Sequence, residues 1–123
     1  MESKKMIWTG RIISALIILF MLVDGGAKVV KLKPYVEGTV KVGYPESLVV
    51  PLGIVELVCT IIYAVPQTAV LGAILMTGYF GGATATHVRI GQPFYIPVVF
   101  GILVWVGLYL RDARLRALIP LRS

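Results

Sequence analysis

The sequence predicts an all-α integral membrane protein, an antiparallel four-helix bundle, and three observations carry that reading. Hydrophobic residues make up 58% of the 123 and charged residues 15%, with a mean hydropathy of +0.88; a soluble domain carries roughly 25% charged residues to keep its surface wet. Four apolar windows approach the ~20 helical residues that cross ~30 Å of hydrocarbon. Short connections join most of them, and backbone groups in lipid must be bonded within helices. The same composition excludes a disordered or fibrous chain, a disulfide scaffold and a separate catalytic domain outside the bilayer. One transmembrane domain over 1–123 is the expectation.

The first helix is expected over about 6–30, with an apolar centre from Ile12 to Val23 broken only by Ser14. Trp8 and Arg11 sit at its start, where an indole and a snorkelling guanidinium suit the membrane interface. A cleavable signal peptide competes for this segment, but no A-x-A-like site follows, and Asp24-Gly25-Gly26-Ala27-Lys28 continues with helical spacing. An uncleaved helix is expected. A polar stretch from Lys31 to Tyr44 separates it from the second helix, about 48–65, which Pro66 closes and in which Pro51 and Gly53 predict a loosened or kinked first turn. The third helix, about 68–87, is rich in small residues. Gly78 and Gly82 form a small-xxx-small pair, read either as packing within the bundle or as a homodimer contact. The fourth runs from about 94 to 110, where Arg111 ends it.

Four helices put both termini on one side. That side holds Lys4, Lys5, Arg11, Arg111, Arg114, Arg116 and Arg122, against Lys28, Lys31, Lys33, Lys41 and Arg89 on the other. The excess predicts an N-in/C-in protein of an inner (plasma) membrane. The basic tail abuts a membrane helix and lacks interleaved aromatics, so it reads as an anchor to anionic lipid and not as a nucleic-acid patch.

Ionisable side chains inside a bilayer need a partner or a task. Glu56 lies nine residues into the second helix, on the order of 13 Å deep, beyond the reach of snorkelling. It is either an interhelical hydrogen bond that fixes the bundle or a group that binds a ligand or handles a proton. Asp24 and Lys28 are spaced i,i+4, which favours an ion pair on one helix face; this pair either ends the helix at the interface or joins a site. His87 is the only histidine, read as a half-solvated structural residue or as a ligand contact. Asp24, Lys28, Glu56, His87 and Arg89 all map to the outer half of an N-in bundle. That convergence makes them the candidate ligand-binding set, able to hold the polar head of an amphiphile whose tail lies among the helices. Thr60, Tyr63, Thr77 and Tyr79 can add neutral hydrogen bonds or bond their own backbone.

Cys59 is the sole cysteine, so there is no dithiol centre, and it reads as a packing residue. No spacing for a metal or haem site is present, nor a phosphate loop, a G-x-S-x-G elbow or an H-E-x-x-H. No catalytic residue is assigned.

Gly25-x-x-Lys28, Glu56-Leu57 with the Pro66 turn, Gly81-Gly82-Ala83-x-Ala85-x-His87-x-Arg89 with Gly91-x-Pro93, and the basic end after Leu110 together resemble the DoxX-like group of small bacterial membrane proteins. The resemblance implies a four-helix inner-membrane bundle. Its founders are associated with thiosulfate:quinone oxidoreductase as small membrane subunits, and relatives with thiol or redox stress and with membrane-partner assembly. It therefore implies a quinone- or lipid-binding subunit working with a redox partner, without a covalently bound cofactor. A structural or assembly partner, a homo-oligomer among its forms, is the alternative; a transporter rests only on one buried carboxylate.

Overall fold

The computed structural model describes residues 4–118. Arg122, counted above among the basic residues of the terminal side, lies outside them. Six α-helices follow in order: α1 (Lys4–Val29), α2 (Lys33–Lys41), α3 (Val49–Ala64), α4 (Ala69–Arg89), α5 (Tyr95–Arg111) and α6 (Ala113–Arg116). No strand occurs among the described residues. The four apolar helices form a ring in which α1 packs on α3, α3 on α4, α4 on α5, and α5 closes against α1. Three helical stretches, Lys4–Val29, Glu46–Ala64 and Pro66–Arg89, are long and apolar enough to cross a membrane, and α5 is a shorter apolar helix of 17 residues.

The apolar residues divide into two sets. Ile17, Met21, Tyr63, Met76, Phe80, Val104 and Leu108 fill the interior with Cys59 among them, so the cysteine packs as a small apolar side chain. Ile12, Leu16, Leu19, Val23, Ile54, Ile61, Ile74 and Ile102 instead stand exposed on the outside. Such a continuous apolar exterior fits a bilayer solvent and not water.

Small residues draw the helices together at three crossings. A methyl group at Gly53 would meet Gly25 O and Lys28 Cβ, each at 2.8 Å; one at Gly72 would run into the Tyr63 backbone; one at Gly107 would meet Ser14 Oγ at 2.5 Å. Close backbone approach of this kind holds membrane helices where apolar burial supplies no drive. Gly78 and Gly82 do not take part. A methyl at either meets nothing within 4 Å, so the small-xxx-small pair packs against no helix of this chain.

Local signals explain the helix ends. Pro51 falls in the first turn of α3, where its missing N–H has no intrahelical carbonyl to bond. α3 accordingly runs as one uninterrupted helix to Ala64, and Gly53 serves the contact with α1. Val65 takes the extended conformation that a following proline imposes. At the opposite end of the bundle α1, α2 and α4 all stop the same way. Lys31 (φ 57), Gly43 (φ 98) and Gly91 (φ 73) adopt the left-handed conformation. Each donates three residues back, to Lys28 O, Val40 O and Val88 O, while the next residue bonds Ala27 O, Thr39 O and His87 O. These are Schellman closures.

The stretch from Lys31 to Tyr44, expected only as a polar link, holds α2. Pro34 opens the helix, and Lys33 and Glu37 pair one turn apart at 3.9 Å. α2 lies at the end where α1 stops and α3 begins, hereafter the α2 end; the N-terminus of α1 and α6 mark the terminal end.

Candidate ligand site at the α2 end

The Gly25–Gly53 crossing brings the last turn of α1 against the middle of α3. Lys28 Nζ lies 2.9 Å from Asp24 Oδ2 on its own helix and 2.9 Å from Glu56 Oε1 on the next. It also donates to Tyr79 Oη of α4 at 2.9 Å, and the Tyr79 hydroxyl donates its single hydrogen to Glu56 Oε1 at 2.9 Å. Three helices are thereby joined through one ammonium. An ammonium has three hydrogens, and all three are taken. Glu56 is 1% exposed, and its Oε2 is the buried side-chain polar atom without a hydrogen-bond partner among the described residues.

Above this cluster a cavity of about 390 Å³ opens between α2, α3 and α4. Lys28 and Tyr79 form its polar base. Gly78, Gly82 and Ala83 make one wall, Leu52 and Val42 add apolar surface, and Tyr35, Gly38 and Thr39 of α2 close the other side with Tyr44, Thr86 and His87. The volume falls within the range that small-molecule sites occupy, as does the mix of apolar wall and few polar groups. The bare helix face at Gly78 and Gly82 makes the room: side chains there would fill it.

Hydrogens on the wall are mostly committed. Thr86 donates to Gly82 O at 2.8 Å, so the 2.8 Å contact between Tyr44 and Thr86 has the tyrosine as donor. Thr39 donates to Tyr35 O at 2.9 Å. His87 Nδ1 lies 2.7 Å from Ala83 O; a carbonyl only accepts, so Nδ1 carries the hydrogen and Nε2 of the neutral ring is an acceptor.

Of the five residues singled out by position, Lys28 and His87 line the cavity. Asp24 and Glu56 hold Lys28 and lie outside the described lining. Arg89 also stands outside it, donating to Val42 O at 3.3 Å and strapping the turn after α2 to the end of α4. Tyr79 supplies the neutral hydrogen bond expected of it. Thr60 bonds Glu56 O on its own helix, and Thr77 accepts from Trp105 Nε1 at 2.6 Å. Tyr63 acts at the terminal end instead: its hydroxyl donates to Val104 O at 2.7 Å, Ser14 bridges to it at 2.9 Å, and Arg111 Nε donates to Ser14 at 3.1 Å.

Tyr35, Thr39, Tyr44 and Thr86 were missed from the sequence. Their signal was available in part, because Lys33, Glu37 and Lys41 recur every fourth residue and mark the opposite face of a helix carrying Tyr35 and Thr39. No group of three or more metal-ligating side chains exists among the described residues.

No curated protein and no solved structure matches the chain. A family model does: it covers residues 12–107, from the first turns of α1 to near the end of α5, and so takes in the whole cavity. With that match over most of its length, the chain belongs to the DoxX-like family of membrane proteins.

Proposed function

We propose that this protein is a non-catalytic membrane subunit that binds a quinone or lipid in the cavity at the α2 end, and that a partner protein of a membrane redox system supplies any electrons. The carrying observation is the cavity itself: an apolar wall with a few placed polar groups, sited where the ionisable side chains of three helices converge. A ring or acyl chain suits Leu52, Val42 and the bare face at Gly78 and Gly82, and one oxygen of a head group can accept from Tyr35. The protein sits in a bacterial inner membrane with both termini cytoplasmic, a reading supported by Lys4, Lys5, Arg11, Arg111, Arg114 and Arg116 at the terminal end. Mass spectrometry of small molecules extracted from the gently purified protein, with bulk membrane lipid as control, tests the reading. Enrichment of a quinone or of one lipid supports it; a profile equal to bulk lipid contradicts it.

A second reading has its own observation. Every hydrogen of Lys28 is spent inside the chain, which suits internal glue in a structural or assembly protein, homo-oligomeric or bound to another membrane protein. Under that reading Glu56→Gln lowers the melting temperature in detergent and His87→Ala has no ligand to release.

A further inference from the structure

We infer that the cavity selects a neutral amphiphile whose head group is a hydroxyl, a group that donates one hydrogen bond and accepts another, with His87 Nε2 as its acceptor and the Tyr35 phenol as its donor. The inference deepens the amphiphile-site reading and rests on it.

Nearly every side-chain hydrogen on the cavity wall has a partner within the chain. On the wall, Lys28 spends three on Asp24, Glu56 and Tyr79; Tyr79 spends its own on Glu56. Thr39, Tyr44 and Thr86 spend theirs on Tyr35 O, Thr86 Oγ1 and Gly82 O. The Tyr35 hydroxyl has no hydrogen-bond partner among the described residues, and Tyr35 is half-buried on the face of α2 turned to the cavity. It is the one lining side-chain hydroxyl whose hydrogen is uncommitted. His87 is half-buried on the facing helix, and with Nδ1 bound to Ala83 O the atom it has left is Nε2. A ligand therefore meets one donor and one prominent acceptor. A group with acceptors alone, such as a quinone carbonyl, can pair only with Tyr35 and leaves His87 unpaired, whereas a hydroxyl carries both a hydrogen for His87 Nε2 and a lone pair for Tyr35.

Charge narrows the class further. Lys28 is the only cation on the wall, and two carboxylates already face it at 2.9 Å. Arg89 stands outside the lining on Val42 O. An anionic phosphate entering the cavity would shed water without gaining an uncommitted cation, a strongly unfavourable exchange. Two sources of neutral hydroxyl remain, the phenol of a hydroquinone and the alcohol of a monoacylglycerol.

Equilibrium dialysis of the full chain in detergent, quantified by mass spectrometry, separates the possibilities. Four probes of matched tail length are compared: a hydroquinone held reduced under anaerobic conditions, its quinone, a monoacylglycerol, and the corresponding glycerol phosphate monoester. The hydroquinone or the monoacylglycerol, or both, should bind about ten-fold more tightly than the quinone and the phosphate, the value of one satisfied hydrogen bond at its upper range. Whichever binds names the source. His87→Ala and Tyr35→Phe, both outside the apolar core, should each weaken the hydroxyl ligand about five- to ten-fold while the melting temperature holds, and His87→Ala should leave quinone binding unchanged. Equal or tighter binding of the quinone or the phosphate overturns the hydroxyl inference and leaves the amphiphile site standing. Failure of all four to bind overturns both.

Discussion

Lys28 of α1 and Glu56 of α3 meet at 2.9 Å because Gly25 and Gly53, one turn away on each helix, let the two backbones touch. The ion pair and the glycine crossing are thus one feature, with backbone packing positioning charges that neither helix could bury alone.

Gly53→Ala should push α1 from α3 and destabilise the bundle by about 1–3 kcal/mol, the range for forcing a methylene into a packed contact. Gly78→Ala, on the open face of α4, should change stability by less than about 0.5 kcal/mol or raise it slightly through helix propensity. Unfolding in mixed detergent micelles compares the two, and equal effects would remove the crossing from the account.

Glu56→Ala should cost about 3–5 kcal/mol, because it leaves the Lys28 ammonium short of its buried partner. Replacing Lys28 and Glu56 together by Met should cost much less than the sum of the single changes, a non-additivity read from a double-mutant cycle.

Lys31 closes α1 with a left-handed backbone that a side chain adopts at a penalty of roughly 1–2 kcal/mol. Lys31→Gly should therefore stabilise the protein by up to about 1 kcal/mol, after allowance for the greater freedom of glycine in the unfolded chain. A fall in melting temperature would contradict this.

Tyr63→Phe removes the bond to Val104 O and takes away the acceptor of the Ser14 hydroxyl hydrogen at the terminal end, leaving Ser14 only the bond it accepts from Arg111. A loss of about 1–3 kcal/mol is expected, with ligand binding at the α2 end unchanged. Measuring stability and binding on the same variant separates the two ends of the bundle.

Arg89→Ala, and Tyr44→Phe with it, should free the turn after α2 by removing its bonds to Val42 O and Thr86. Hydrogen exchange at the α2 amides should quicken several-fold while that of α3 and α5 does not.

The four apolar helices were legible because hydropathy over some twenty residues is a strong signal and lipid forbids other backbones. Lys28, Glu56 and Asp24 were legible as a group because an intramembrane charge demands a partner, and helix counting places all three in the outer half of the bundle. The role of α2 was not. Nine residues are too few for hydropathy to register, and its function lies in which face closes the cavity, a tertiary fact. The glycines of α4 were left ambiguous for a related reason: a bare helix face permits either a close neighbour or an open space, and within the chain only the arrangement of the ring decides. At Gly72 it supplied a neighbour; at Gly78 and Gly82 it left room.

The central claim, an amphiphile bound against the bare face of α4, is tested most directly by comparing the small molecules that co-purify with the native chain and with Gly82→Leu. A leucine there has open space to occupy and projects into the cavity without disturbing the helix crossings. The account predicts one amphiphile enriched over bulk membrane lipid in the native protein and lost from Gly82→Leu at an unchanged melting temperature. The same enrichment in both proteins would contradict it.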